Sequence, residues 1–256
     1  MQTRLAPGRT HRARVWLWLA GLTLLSPGII VAERPVLVLN DVNEPPYTTP
    51  DHDGFLDVIA GEAFRRAGFE LRLVKLPAER GLINANEGSE DGDLTRIAGL
   101  ENRYPNLIRV PEKLVDWEFS AFSTDSTIPS AWPALRQRAV GHIKGWKIYE
   151  QALAGAEHVS TTDDPAQLFR LLELKRIEVA LYERRLGLAF IKQRGLKGIR
   201  PIAPPLATRE MFIYLHRRHA TLVPKLAAAL RAMKREGFYQ RVQDQKLIPY
   251  REAPAP

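Results

Sequence analysis

The chain of 256 residues contains no cysteine. That excludes disulfides, thiolate metal sites and cysteine nucleophiles together. It also lacks a Gly-x-Ser-x-Gly elbow, a His-Glu-x-x-His pair and a phosphate-binding loop, and its six histidines form no ligand-spaced cluster. His142 and His158 read as surface or strand residues, and neither a metal nor a cofactor is called for. Low-complexity and collagen-like readings fail because the 17 Gly and 19 Pro are scattered. What remains is ordinary globular composition, 45% hydrophobic and 26% charged, long enough for one large domain or two compact ones.

The formal charge of +8 invites a nucleic-acid reading, but part of it lies at the N-terminus. Arg4, Arg9, Arg12 and Arg14 precede an apolar run from Val15 to Leu25, a Ser-Pro-Gly break, and a second apolar stretch ending at Ala32. This is a basic region, a hydrophobic region and a small-residue cleavage point, the pattern of an export signal over residues 1–32. An uncleaved signal anchor is the alternative, since the run from Val15 to Ala32 approaches spanning length. Without residues 1–32 the chain holds 33 basic and 29 acidic residues, +4, too dispersed to argue for DNA or RNA.

Beyond that segment strands and helices alternate. Val36–Leu39 reads as a strand, 55–67 as a helix stopped by Gly68, 70–76 as a strand and 78–87 as a helix running to Gly88. Residues 92–98 and 108–122 contain strand-like segments. After a Pro/Ser/Thr-rich stretch at 123–133 the alternation restarts: strand 138–143, helix 146–154, strand 158–161, and a helix opened by Asp164-Pro165. Strand 178–182, helix 184–194 and two separate strands, 199–202 and 211–215, lead to closing helices at 221–235 and 237–245. Two such runs imply an α/β fold of two lobes with parallel sheets.

Several local motifs, in order, resemble the extracytoplasmic solute-binding proteins of family 3, the bilobal receptors of polar amino-acid uptake. They are Pro45-Pro46-Tyr47 followed by Gly54-Phe55, Asp91-Gly92-Asp93-Leu94, Glu118-Phe119-Ser120, Arg138 through Gly145, Arg176 through Glu183, and Leu226 through Lys246. The resemblance implies a type II periplasmic binding fold, with lobes joined by two crossover strands and a ligand clamped between them. Lobe one then comprises 33–122 and 209–250, lobe two 123–208, and 251–256 is a tail. It also implies a periplasmic, monomeric protein, not an enzyme, whose partners are a small polar ligand and the permease of an ABC transporter.

An amino-acid receptor needs a guanidinium for the ligand carboxylate and an acid for its ammonium. Arg96, in a strand-like Leu-Thr-Arg-Ile, and Arg103 compete for the first role; alternatively Arg96 is a solvated charge on a sheet edge. Glu183 matches the family's acid at a lobe-two strand end; alternatively it is a helix N-terminal acid facing Arg184 or Arg185. Tyr47 and Trp117 either wall the ligand or are ordinary half-buried aromatics. Glu79-Arg80 is a second polar pair: either Arg80 helps bind a carboxylate or, the simpler reading, it pairs with Glu79 on an exposed helix. The family usually places Ser or Thr after the glycine corresponding to Gly145; this chain reads Gly145-Trp146-Lys147 instead. Backbone amides there still suit an anion and Lys147 adds charge, but Trp146 fills space or offers a flat face. An enzyme on the same scaffold, with Glu183 as its acid, and a sensory module without transport are the competing functions.

Overall fold

Parallel strands alternating with helices build two half-sheets that meet along two long antiparallel strands. The structure, a computed structural model, describes residues 1–3 and 33–250. The expected export signal, apart from its first three residues, and the expected tail at 251–256 lie outside the described residues. The described residues from Arg34 to Tyr250 form one unit.

The first half-sheet is built from β1 (Val36–Asp41), β2 (Glu70–Lys75) and β3 (Gly92–Ile97), with α1 (Phe55–Arg66) and α2 (Ala78–Glu87) as crossovers. A short strand, β4 (Leu107–Arg109), follows, and then β5 (Val115–Ser123). After a one-turn helix, α3 (Trp132–Leu135), come β6 (Val140–Ile143), α4 (Lys147–Ala152), β7 (Val159–Thr162), α5 (Pro165–Glu173), β8 (Val179–Glu183) and α6 (Arg184–Arg194). The chain returns along β9 (Arg200–His216) and closes with α7 (Val223–Arg235) and α8 (Phe238–Leu247). The strand order is β2-β1-β3-β9-β5-β8-β6-β7, with β4 beside β9. The outer pairs β1/β2, β1/β3, β6/β7 and β6/β8 are parallel, whereas β9 and β5 run antiparallel to their neighbours.

The helices form where apolar spacing and caps agree. In α1, Phe55, Leu56, Ile59, Ala60, Ala63 and Phe64 are buried, and this face packs against α7 and α8. Asp57 reaches back to the Gly54 N–H at 2.9 Å, closing the first turn. Gly88 takes the left-handed conformation that ends α2. Asp164 accepts from the Gln167 N–H at 2.8 Å, and Pro165 occupies the first helical position of α5.

One expectation of the sequence is corrected. The strands expected at 199–202 and 211–215 are not separate; 200–202 and 211–215 are parts of one strand of 17 residues, β9. Its proline-rich beginning, 201–205, reads as a break because proline lacks an N–H donor. The strand continues because β5 pairs with it both before and after a register shift between Phe119 and Ala121. This pairing joins the two halves: Val115–Phe119 lies against 207–211 and Ala121–Ser123 against 200–202.

Candidate functional site

In open α/β sheets, ligand groups gather at the carboxyl ends of the parallel strands. Both halves of this fold point those ends at one another. The loop after β1, the Pro77-Ala78 turn after β2 and the end of β3 face Gly145–Lys147 after β6, Asp163-Asp164 after β7 and Glu183 closing β8.

Arg96 lies near the end of β3 and is 6% exposed. Its Nη2 donates to Asp93 Oδ2 at 2.7 Å and to the Ala78 carbonyl at 2.9 Å. Residues three apart on a regular strand face opposite sides. They meet here because the β3/β9 register shifts between Asp93 and Arg96, a bulge that re-aims the guanidinium. Arg96 Nε has no partner, and neither has Asp93 Oδ1. Burial pushes the Asp93 carboxyl upward, against the lowering pull of Arg96. Arg103 is a different case: its side chain is two-thirds exposed, 3.9 Å from Glu79, and stacked over the adjacent Tyr104 ring.

The space between the halves is closed. Gly145, at φ +85°, approaches so near to α2 that a Cβ on it would lie 2.5 Å from the Glu79 amide nitrogen. Lys147 reaches across to Glu79 and also holds Glu150 at 2.9 Å. Glu79 therefore pairs with the opposite half and not with its neighbour Arg80, which is exposed. The Gly145 amide donates to Glu150 at 2.7 Å and that of Trp146 to the Ile143 carbonyl at 3.3 Å, so both donors are already occupied.

Trp146 is the centre of this contact. Its ring stacks on Trp117 at 5.2 Å, lies parallel to Tyr149 at 5.9 Å, and sits 4.9 Å from Tyr182 and 6.1 Å from Phe119. Trp117 continues the stack to Tyr47 at 5.9 Å. An inner cavity of about 30 Å³, room for a water molecule, is left beside it. Its wall includes Arg96, Trp117, Gly145, Trp146 and Lys147 together with Leu82, Leu100, Ile148 and Met211. Trp117 Nε1, like Arg96 Nε, is buried without a partner. A buried donor left in that state costs about 1–3 kcal/mol. Outside lies a groove of about 250 Å³ bordered by Asp41, Glu44, Lys75, Asp163 and Asp164. Val42 and Trp146 line both spaces, so the partition is one side chain thick.

Glu183 and Tyr47 form a separate, sealed group. Both are fully buried. The Glu183 carboxylate accepts from the Leu186 N–H at 2.8 Å, from Tyr47 Oη at 3.2 Å and from the Glu118 N–H at 3.4 Å, with Arg185 3.8 Å away. It caps α6 and faces Arg185, and it lines neither the inner cavity nor the groove. Burial raises its pKa to about 7 in spite of these donors. His142 is a buried strand residue bonded through Nδ1 to the Ile143 carbonyl at 3.0 Å.

Of the residues singled out in the sequence, five thus meet around one cavity, while Tyr47 and Glu183 stand apart from it. Sequence reasoning missed Asp93 as the partner of Arg96, although Gly-x-Asp-Leu marked its strand. It also missed Glu79 as an inter-lobe acid and Phe119, Tyr149 and Tyr182 as the bed of Trp146.

No protein-family model matches the chain. An uncharacterized protein of Shewanella oneidensis is 26% identical over 227 residues, covering 84% of this chain and 83% of that one. Among solved structures, a histidine kinase sensor domain with similarity to periplasmic binding proteins superposes with a TM-score of 0.75 at 18% identity, covering 84% of this chain and 97% of its own. An ancestral arginine-binding protein bound to glutamine gives 0.70 at 17% identity, with 83% and 98% covered. A substrate-binding protein of an ABC uptake transporter from Streptococcus pneumoniae, with bound histidine, gives 0.68 at 14% identity, with 82% and 92% covered. The chain therefore carries the two-lobed type II fold of the periplasmic solute-binding proteins, with β5 and β9 as its crossover strands.

Proposed function

We propose that this protein is a non-enzymatic solute receptor that closes its two lobes over a small polar ligand, a carboxylate held at Arg96. In this reading it acts outside the cytoplasm as a monomer and delivers its ligand to the permease of an ABC transporter. The observation that carries the reading is the buried guanidinium with a free Nε at the carboxyl ends of facing strands. A few charged groups between closing lobes fix a small ligand and its orientation. The likeness to a histidine kinase sensor domain favours a second reading, a sensory module that reports a ligand without transporting it.

A thermal-shift screen of the purified protein against amino acids, keto acids, aromatic and aliphatic acids, dicarboxylates and polyamines tests ligand capture. A ligand at about 100 times its Kd adds about 2.7 kcal/mol, a rise of roughly 5–10 °C for a chain of this size. Hits confined to carboxylates and lost in Arg96→Ala support the receptor; a flat screen refutes it. Co-purification of a ligand-loaded protein with a permease, as against a kinase, separates the two readings.

A further inference from the structure

The composition of the inner cavity wall says more about the ligand than the fold does. Charged side chains on that wall are Arg96 and Lys147, both cations, and no carboxylate belongs to it. Two residues of that wall each carry an N–H donor buried without an acceptor, Arg96 at Nε and Trp117 at Nε1. Arg96 and Trp117 are 6% and 2% exposed. Apart from Thr95, whose hydroxyl accepts from Asn43 Nδ2 at 3.0 Å, the rest is mainly apolar, with Val42, Leu82, Leu100, Ile148 and Met211. Meanwhile the acid expected to hold an ammonium, Glu183, is spent on the α6 cap and Tyr47.

We propose that the inner cavity takes the carboxylate of a small apolar acid that carries no ammonium group, received by Arg96 Nε and Trp117 Nε1. This deepens the receptor reading and rests on it. A carboxylate supplies the two acceptors these donors lack, and the guanidinium makes one of the bonds charge-assisted. An aliphatic or aromatic body fits the apolar wall. An α-ammonium would be desolvated beside Lys147 with no acid on the wall to pair with. The cavity holds only about 30 Å³, so the ligand enters by displacing the Trp146 ring into the outer groove that it already borders. Asp93 Oδ1, buried without a partner behind the wall, defines the competing geometry, in which an amino acid reaches past Arg96 to that oxygen.

Calorimetric titration of the full chain with matched pairs decides between them: 4-methylpentanoate against leucine, and 3-phenylpropanoate against phenylalanine. The expected result is that at least one deaminated acid binds tenfold or more tightly than its amino acid. Trp117→Phe, which keeps the ring stack and removes Nε1–H, should weaken that acid about tenfold while leaving the melting temperature of the free protein within a few degrees. Arg96→Lys should weaken it further. Amino acids binding as tightly as the acids, or binding alone, overturns the proposal and leaves the receptor reading intact; a screen whose hits are only polyamines overturns both the proposal and the carboxylate role of Arg96. Undiminished acid binding by Trp117→Phe overturns the assignment of Nε1. If nothing binds in either the pairs or the wider screen, the receptor reading fails with it.

Discussion

Glu183→Gln should make the protein more stable at neutral pH and not at acid pH. The carboxyl is fully buried, and its pKa stands at about 7 against an ordinary 4.5, chiefly because burial penalises the charged form. Between those values the folded protein holds a proton that the unfolded chain has released. Stability is therefore fully present below about pH 4.5 and falls as pH rises to about 7, where folded and unfolded chains are again equally charged. A shift of this size corresponds to about 3 kcal/mol in total, with a slope of about 1.4 kcal/mol per pH unit at its steepest. Glutamine keeps an acceptor for the Leu186 N–H and never ionises. Arg185 loses a partner at 3.8 Å but retains Glu118 at 3.9 Å, which trims the gain. Urea unfolding of both proteins at pH 5, 6, 7 and 8 measures the effect, and taking the difference cancels every other titrating group. The two should agree within about 1 kcal/mol at pH 5, with the variant ahead by about 2–3 kcal/mol at pH 8. A difference that stays flat, or a wild type that gains on the variant as pH rises, refutes the reasoning. The second outcome would mean that Arg185 outweighs burial.

Gly145→Ala should hold the lobes apart, because its Cβ would lie 2.5 Å from a backbone nitrogen at φ +85°. The expected cost is about 1–3 kcal/mol, with an increased radius of gyration in small-angle scattering. Lys147→Ala leaves Glu79 and Glu150 facing each other and should destabilise the closed form by about 1–3 kcal/mol in urea unfolding. Asp164→Ala removes the α5 cap and should cost about 1 kcal/mol in urea unfolding. Trp146→Ala should cost about 3–5 kcal/mol, and in return join cavity and groove, so that bulkier ligands shift its melting temperature and not that of the wild type.

Much of the fold was legible because it is written locally. Apolar spacing in 55–67, the Asp164-Pro165 start and the Gly88 stop each specify an element through its own residues. β9 was not, since what carries its proline-rich stretch is pairing with β5, some 80 residues earlier in the chain. The site divides the same way. Arg96 stood out as a charge in an apolar strand, and Gly145-Trp146-Lys147 as a departure from the family's pattern. The Asp93–Arg96 contact needs a bulge that no alternation rule anticipates. Glu183 sits at the strand end where the motif put it, yet its carboxylate turns to α6 and Tyr47, a choice set by the tertiary neighbours Tyr47 and Glu118.

In the proposed receptor, the Trp146 indole would also set the terms on which a ligand binds. Stacked on Trp117 between the halves, it would act as an intramolecular competitor whose local concentration does not depend on dilution. A ligand is measured against that resident ring and not against solvent, so its apparent affinity is its intrinsic affinity scaled by the fraction of molecules with the slot vacated. If the stack favours the filled slot by about 2 kcal/mol, every ligand is handicapped about 30-fold. A threshold of that kind is adjustable by substitutions that touch no ligand: loosening Tyr149 or Tyr182 beneath the ring would lower it, and every affinity would rise together.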